Sequence, residues 1–332
     1  MPIDVHAHYV PPRILEKLRD KGKSWGIDVV DRAAGAPCVH FEYGLKVRPF
    51  FEGLLEPEEK RLEAMDATGI DRQVLSLWAD VFGYGLRGAQ AQAWHRLMND
   101  SLGETAARHP ERFSWFASGP LPDAAAAAKE LERCVRELGA RGGIVAANVE
   151  GANLGELPLD EYWSAAQELG VPVFIHPVQA EPLPRTKRFG LNTTAYYTFD
   201  TTLTLGSLIF SGVLDRYPRL DIIASHGGGT LPYLMGRFDI MHVRMHREEQ
   251  GNVAAQQPSA YLRRFHYDTI LHDGPTLKFL AEKVRTDRLV LGSDVPFPPM
   301  DKDPLASVRA AGFSAAEIRQ IAHDNPRRLL RL

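Results

Sequence analysis

Short apolar, β-branched segments alternate with longer amphipathic segments along most of the chain. The short segments predict strands at Ile3–Val5, Arg72–Leu77, Phe113–Ala117, Gly143–Ala147, Pro172–His176, Asp221–Ser225, His266–Leu271 and Leu289–Ser293. The amphipathic segments predict helices at Glu58–Ala67, Ala89–His109, Ala124–Leu138, Leu159–Leu169, Leu203–Tyr217, Leu231–Glu248, Gly274–Lys283 and Ala315–Leu330. Strands that alternate with helices pair in parallel through right-handed crossovers. About eight such units close a TIM (β/α)8 barrel, which is the α/β fold that the pattern predicts.

Two stretches interrupt this alternation. Residues 21–51 contain the β-like pieces GIDVVD and PCVHFEYG around AAGAP, and they predict a small β insertion after the first strand. Residues 179–202, after the fifth strand, are polar and contain proline and glycine. Loops that follow barrel strands lie on the face where chemistry takes place, so both stretches are candidate covers of an active site, with surface decoration as the alternative. We therefore expect residues 1–332 to form one distorted barrel domain with a small insertion.

Composition narrows the range of partners. The chain has 332 residues, and 39 Lys+Arg against 42 Asp+Glu leave a formal charge of -3. This balance gives no electrostatic reason to expect nucleic acid or an anionic membrane as partner. No apolar run approaches the roughly 18 to 20 residues that cross a bilayer, and the N-terminus lacks the features of a secretion signal. Two cysteines, Cys38 and Cys134, provide no disulfide framework, so we expect a cytoplasmic protein.

Two histidines in the first predicted strand are the sharpest chemical feature. In IDVHAH, His6 and His8 are two residues apart, so both side chains point to the same side of a strand. A lone inward histidine is more often a core residue with its hydrogen bonds satisfied. Two on one face are costly to bury unless something binds both, and imidazole is the commonest ligand of transition metals.

The same placement recurs at three later strands. His176 ends VPVFIH, His226 ends DIIASH, and Asp294 ends LVLGSD. Each residue alone could cap a loop. Because parallel barrel strands end on one face, these side chains are expected to meet the first histidine pair there. A metal site explains the repeated His or Asp identity better than capping does.

These positions resemble the amidohydrolase superfamily, with HAH at the first strand, histidine at the ends of the fifth and sixth, and aspartate at the end of the eighth. The segments RPFFEGLLEPEEKRLEAMDATGID, HGGGTLPYLMGRFD and GSDVPFP are similar to the 2-amino-3-carboxymuconate-6-semialdehyde decarboxylase-like family within it. The resemblance runs from Ile3 to about Leu330, so it covers nearly the whole chain.

The resemblance implies a set of roles. His6, His8, His176 and Asp294 would bind one divalent metal, zinc in first place with manganese as the alternative, and no organic cofactor. His226 is implied to be an unbound base that takes a proton from water, and Asp294 to relay a proton as well. Superfamily members with two metals use a lysine at the fourth strand. The segment GGIVAANVEG offers none, so a single metal is expected.

Three further residues match substrate-binding positions of the family, and a fourth falls near one. Arg48 and Arg237 match arginines that bind substrate carboxylates, a task suited to the planar guanidinium; a surface or structural ion pair is the alternative for each. The second arginine reaches in from a neighbouring subunit in the family, which implies a homodimer. Phe297 matches an aromatic residue that packs on the substrate. Phe189 falls near a tryptophan of the family pattern, and this departure affects the fit of the substrate.

Several functions remain compatible with these residues. The leading hypothesis is a metal-dependent decarboxylase of a small unsaturated carboxylate, such as 2-amino-3-carboxymuconate-6-semialdehyde or a related intermediate of aromatic degradation. Hydrolysis of a lactone or amide, or hydration of an oxo-dicarboxylate, would use the same metal site. A hydroxybenzoate-type decarboxylase is a third possibility, although several such relatives carry Glu-x-His where this chain has His6-Ala7-His8. A catalytically silent metal-binding scaffold fits the complete residue set least well.

Overall fold

A computed structural model describes residues 1–32, 35–178, 184–244 and 251–332. Eight parallel strands carry the fold, and each of them lies within or overlaps one of the predicted strands. They are β1 Ile3–His8, β2 Arg72–Ser76, β3 Phe113–Trp115, β4 Gly143–Ala146, β5 Val173–His176, β6 Ile222–Ala224, β7 Phe265–Asp268 and β8 Leu289–Val290. Several strands are shorter than predicted, although backbone hydrogen bonds continue beyond their ends, as from Phe116 N to Leu75 O and from Ala147 N to His176 O.

The strands form a ring made of two arcs. One arc has the order β1-β2-β3 and the other β8-β7-β6-β5-β4. Single parallel bridges join the arcs at both seams, Ala117 with Gly143 and Ala7 with Val295. The second seam also holds a hydrogen bond of 2.7 Å from His8 N to Val295 O. Further backbone hydrogen bonds cross both seams, as from Val5 N to Leu291 O and from Ile144 N to Ala117 O, both at 2.8 Å. The predicted TIM barrel is therefore confirmed.

In the described part of the chain, twelve α-helices connect the strands or follow the last one. They span Pro12–Lys21, Glu58–Thr68, Gly88–Arg108, Ala124–Leu138, Asp160–Leu169, Tyr197–Phe210, Val213–Arg216, Leu231–Arg244, Gly274–Val284, Pro304–Ala310, Ala315–Arg319 and Asn325–Leu330. Pro12–Lys21 was not predicted; it begins with proline, which suits a first helical turn, and buries Ile14, Leu15 and Leu18. Among the described helices, none is long and apolar enough to cross a membrane.

Helix boundaries differ from prediction in the polar stretch after β5. Helix Tyr197–Phe210 begins inside the stretch predicted as loop, and a turn at Asn192–Tyr196 leads into it. The predicted helix Leu203–Tyr217 breaks at Gly212, whose φ of 71° is left-handed. Residues 179–183 of that stretch lie outside the described part of the chain, as do the last residues of the predicted helix Leu231–Glu248.

The inserted region is an antiparallel hairpin. Strand Ile27–Arg32 pairs with Gly35–Phe41, in the register Ile27 to Phe41 and Val30 to Cys38. It lies within the predicted insertion at residues 21–51 and follows helix Pro12–Lys21. One buried apolar cluster extends through the chain from Ile3 to Leu330. The carboxyl ends of β1 to β8 meet on one face of the ring, where the predicted metal ligands and His226 lie.

Candidate active site

The two histidines of β1 point at the same place. Both are fully buried, and His6 rests on the Phe174 ring at 4.7 Å between centroids. The Nδ1 atom of His6 lies 2.7 Å from Asp268 Oδ2, and Nδ1 of His8 lies 3.3 Å from Leu77 O. With Nδ1–H directed at these acceptors, the two Nε2 atoms face each other at 3.0 Å. Two lone pairs at this distance repel unless a proton or a metal cation lies beside them.

His176 and Asp294 complete the convergence. His176 Nδ1 lies 2.8 Å from Pro177 O, which leaves its Nε2 as an acceptor. That Nε2 is buried and has no hydrogen-bond partner among the described residues. Asp294 Oδ1 lies 3.2 Å from His6 Nε2, 3.3 Å from His8 Nε2 and 4.0 Å from His176 Nε2. Buried acceptors aimed at one point fit a divalent cation.

A fourth histidine contacts the other oxygen of the same carboxylate. His226 Nε2 lies 3.3 Å from Asp294 Oδ2, and single atoms of His6, His176, His226 and Asp294 lie within 4.8 Å of one another. His8 joins this group through its contacts with His6 and Asp294. Five side chains thus converge, one more than a four-coordinate site requires. His226 contacts Oδ2 of Asp294, whereas His6 and His8 contact Oδ1. This placement suits a base that lies beside a metal site.

Burial and the nearby carboxylates shift the pKa values of these histidines in opposite directions. Burial alone would lower the pKa of His6, but the carboxylates of Asp294 and Asp268 outweigh it and raise that pKa to about 10. Burial lowers the pKa of His8 to about 4. Burial, with repulsion from His8 and His6, holds the pKa of His176 well below its usual value. His8 and His176 are therefore neutral at pH 7, which is the form that binds metals, whereas a cation at His6 must replace a proton.

Asp268, at the end of β7, is a site residue that the sequence reasoning missed. Besides contacting His6, it accepts hydrogen bonds from the backbone N–H groups of His226 at 2.8 Å and Gly227 at 2.9 Å. His226 has a left-handed φ of 52°, and these bonds hold that conformation. Burial would raise the pKa of Asp268, but His6 lowers it. The sequence did offer a signal for Asp268, because it ends the strand FHYD in the same way that Asp294 ends LVLGSD.

An aromatic wall leads from the histidines to Arg48. The Phe297 ring lies 4.8 Å from His8, 5.3 Å from Phe51 and 6.0 Å from Trp78. The Arg48 guanidinium carbon lies 5.2 Å from the centroids of both Phe51 and Trp78. Phe297 thus lies beside the metal-ligand candidates, and Arg48 lies one aromatic layer away.

The two remaining predicted residues lie apart from this cluster. Arg237 is exposed on helix Leu231–Arg244 and has no hydrogen bond or ion pair within the described chain. Phe189 is 82% exposed, and its ring is contacted by Arg188 at 5.0 Å. Within one subunit, neither side chain contacts the converging histidines.

A cavity of about 590 Å³ opens on the same face of the barrel. Its wall includes residues that follow β2, β4 and β5, namely Asp80, Asn148 and Val178. Val178 is two residues beyond His176, and its N–H donates to Asp200 Oδ2 at 3.1 Å. The cavity is therefore large enough for a small aromatic or conjugated acid, and Val178 links its wall to the strand that ends in His176.

Comparisons with known proteins agree over most of the chain. Residues 3–332 match the protein-family model described as amidohydrolase. The chain is 30% identical over 297 residues to 2-amino-3-carboxymuconate-6-semialdehyde decarboxylase of Dictyostelium discoideum, covering 89% of this chain and 82% of that protein. It is 32% identical over 303 residues to gamma-resorcylate decarboxylase of Rhizobium radiobacter, covering 84% and 88%. Dihydroxybenzoic acid decarboxylase of Polaromonas sp. JS666, solved with manganese and 2-nitroresorcinol, aligns with a TM-score of 0.78 at 26% identity, covering 100% and 97%.

Proposed function

The chain belongs to the amidohydrolase family, and from that membership we propose that it is a metal-dependent decarboxylase of a small unsaturated carboxylate. The substrate class is either a muconate semialdehyde, as named for the Dictyostelium relative, or a hydroxybenzoate, as named for the Rhizobium relative. The observation that carries the proposal is the convergence of His6, His8, His176 and Asp294 in a chain similar to decarboxylases along most of its length.

We propose zinc as the metal, with manganese as the alternative. Nε2 of His6, His8 and His176 and Oδ1 of Asp294 would hold it, and three imidazoles with one carboxylate are a ligand set that both ions accept. When bound, the ion supplies a Lewis acid at the point where these atoms meet. The manganese in the Polaromonas enzyme supports a divalent ion of this kind.

The reaction needs a proton and a place for electrons. The bond to the leaving carboxyl carbon breaks as carbon dioxide departs, and its electron pair enters the conjugated carbonyl or phenol system of the substrate. A proton then takes the place of the carboxyl group on the substrate carbon that carried it. The His226 Nε2 and Asp294 Oδ2 pair, 3.3 Å apart, is suited to hold and transfer this proton. Because the substrate itself provides the electron sink, we propose that no organic cofactor takes part.

Arg237 supports a homodimer within this proposal. Around it, the helices Tyr197–Phe210 and Leu231–Arg244 expose large apolar side chains, namely Phe199, Leu203, Tyr233, Ile240 and Val243, at 51%, 59%, 79%, 51% and 68%. Contiguous exposed apolar residues on one face favour burial against another protein surface. We propose that a second copy covers this face and that Arg237 enters its active site. We also assign the protein to the cytoplasm, since Cys38 and Cys134 are both free and buried.

Carbon dioxide release tests the function directly. The protein, loaded with zinc or manganese, is incubated with a panel of muconate semialdehydes and hydroxybenzoates while carbon dioxide and substrate absorbance are followed together. We expect stoichiometric release from at least one substrate, its loss after chelation and its return with added metal. Hydration or hydrolysis of these compounds without carbon dioxide would contradict the proposal.

Two histidine variants make that experiment specific. His226→Ala should keep about one bound metal ion per chain and lose at least about 100-fold in kcat, because it removes a proton-transfer group. His323→Ala is the matched control, since His323 bonds Asp324 away from the cluster and should leave kcat unchanged. Equal activity of the two variants would remove His226 from the mechanism.

A further inference from the structure

Arg48, expected to receive a carboxylate of the substrate, already has an acidic neighbour. Its Nη2 lies 3.4 Å from Oδ2 of Asp80 and donates to the Tyr197 hydroxyl at 3.0 Å. Burial raises the pKa of Tyr197, so this hydroxyl stays neutral and adds no charge. The Arg48 side chain is 34% exposed and that of Asp80 10%. The positive charge of Arg48 is therefore largely offset by a carboxylate of the same subunit.

Asp80 is also part of the cavity wall. It lies in the turn Ala79–Val81 after β2 and lines the cavity of about 590 Å³ together with aromatic side chains of Tyr43, Phe82 and Tyr84. Lys46 and Lys187 line the cavity too, but both are exposed, so water screens their charges. Of the two acidic side chains in the wall, Asp80 is the one that contacts Arg48, whereas Glu150 is bonded to Arg87 at 2.6 Å. Asp80 is thus the acidic group that sets the charge beside Arg48.

We propose that Asp80 is a specificity-determining residue that selects a substrate with one carboxylate and neutral hydroxyl groups. The single carboxylate is the one lost as carbon dioxide, and a second one near Arg48 would lie close to Asp80. Because Asp80 already lies beside the Arg48 guanidinium, a second carboxylate there would be repelled by Asp80 while it is attracted by Arg48, whereas a neutral phenol hydroxyl carries no such cost. This proposal rests on the proposed decarboxylase function. It favours a hydroxybenzoate over a muconate semialdehyde that carries two carboxylates.

A pair of matched substrates tests this selection. One is 2,6-dihydroxybenzoate, and the other is a salicylate with a second ring carboxylate at position 4 or 5. The ratio of kcat/KM for the dicarboxylate to that for the monocarboxylate is measured in the metal-loaded wild type, Asp80→Asn and Asp80→Ser. Removing the charge should raise this ratio by about tenfold or more in both variants. Glu150→Gln removes a cavity carboxylate that is not next to Arg48 and should change the ratio by less than about twofold.

Binding measurements separate this proposal from the proposed function. Dissociation constants of the same two acids are determined by calorimetry for the metal-loaded proteins, with circular dichroism to verify folding. If the wild type releases no carbon dioxide from any compound, the decarboxylase proposal fails, while the binding ratio still tests Asp80. A folded Asp80→Asn with wild-type ratios in both binding and turnover would overturn the role of Asp80. A shift of equal size in Glu150→Gln would also overturn it, since the effect would then reflect general cavity charge.

Discussion

Replacing Asp268 with asparagine perturbs the centre without changing the size of the side chain. One carboxylate here serves two parts of the site, because it contacts Nδ1 of His6 and accepts from the N–H groups of His226 and Gly227. It also accepts from Ile270 N at 3.2 Å. An amide has one acceptor oxygen and one NH₂ group, so in either orientation some of these donors would face another donor.

The expected cost follows from those contacts. Oδ2 contacts His6 and His226, and Oδ1 contacts Gly227 and Ile270, so either amide orientation leaves two donors without an acceptor. Hydrogen bonds to a charged group contribute about 1.5 to 3 kcal/mol each, which gives a loss of ~3 to 6 kcal/mol in the free energy of unfolding. His6 also loses the carboxylate that fixes its ring. Loss of such a partner weakens metal binding by about 10- to 100-fold.

Two measurements check this expectation. Urea unfolding of the metal-free protein gives the stability change, and competition with a chromophoric chelator gives the metal affinity. Asp221→Asn is the matched control, because Asp221 lies 3.3 Å from Nε2 of the buried His266, in another histidine–aspartate contact just before β6 at the opposite end of the barrel. It should leave the metal affinity unchanged. If Asp268→Asn binds metal within about twofold of the wild type, the positioning role of Asp268 is refuted.

Three further changes test separate parts of the structure. Burial raises the pKa of Asp200 from 3.8 to about 6, so the folded state binds this proton more tightly than the unfolded state does. Wild-type stability should therefore fall by up to about 3 kcal/mol as the pH rises through this range. Asp200→Asn should flatten this part of the plot of urea midpoint against pH, and an unchanged plot would contradict the role of Asp200. Arg285 has φ 74° and ψ 156°, a conformation that favours glycine. Arg285→Gly should therefore increase the free energy of unfolding by about 1 kcal/mol and raise the urea midpoint accordingly. A lower midpoint would refute the backbone strain at Arg285. Mixing the inactive variants Arg237→Ala and His226→Ala should restore about a quarter of wild-type activity through hybrid dimers, whereas no recovery would place Arg237 outside the partner's site.

The local hydrophobic pattern predicted most of the barrel. The helices that this pattern did not predict have local explanations. All eight strands were located, because buried parallel strands are short, apolar and β-branched. Helices Pro12–Lys21 and Pro304–Ala310 were missed. Both begin with proline and are short, so each contains too few apolar residues to show a clear helical repeat. The polar stretch after β5 was predicted as loop, yet helix Tyr197–Phe210 starts within it and buries Asp200 and Thr201, an arrangement that depends on packing.

The order of strands and strand-end residues along the chain was enough to predict which side chains converge. His6, His8, His176, His226 and Asp294 stand at or just beyond the carboxyl ends of strands, and parallel strands in a closed ring bring those ends together whatever the loops do. The contacts that fix the orientation of these side chains, and the charges that surround them, depend on the three-dimensional fold. Asp268 contacts His6 across 262 positions of the chain, and Asp80 lies beside Arg48 through the folding of different loops. Such contacts depend on side-chain direction and burial in three dimensions, which no local periodicity encodes.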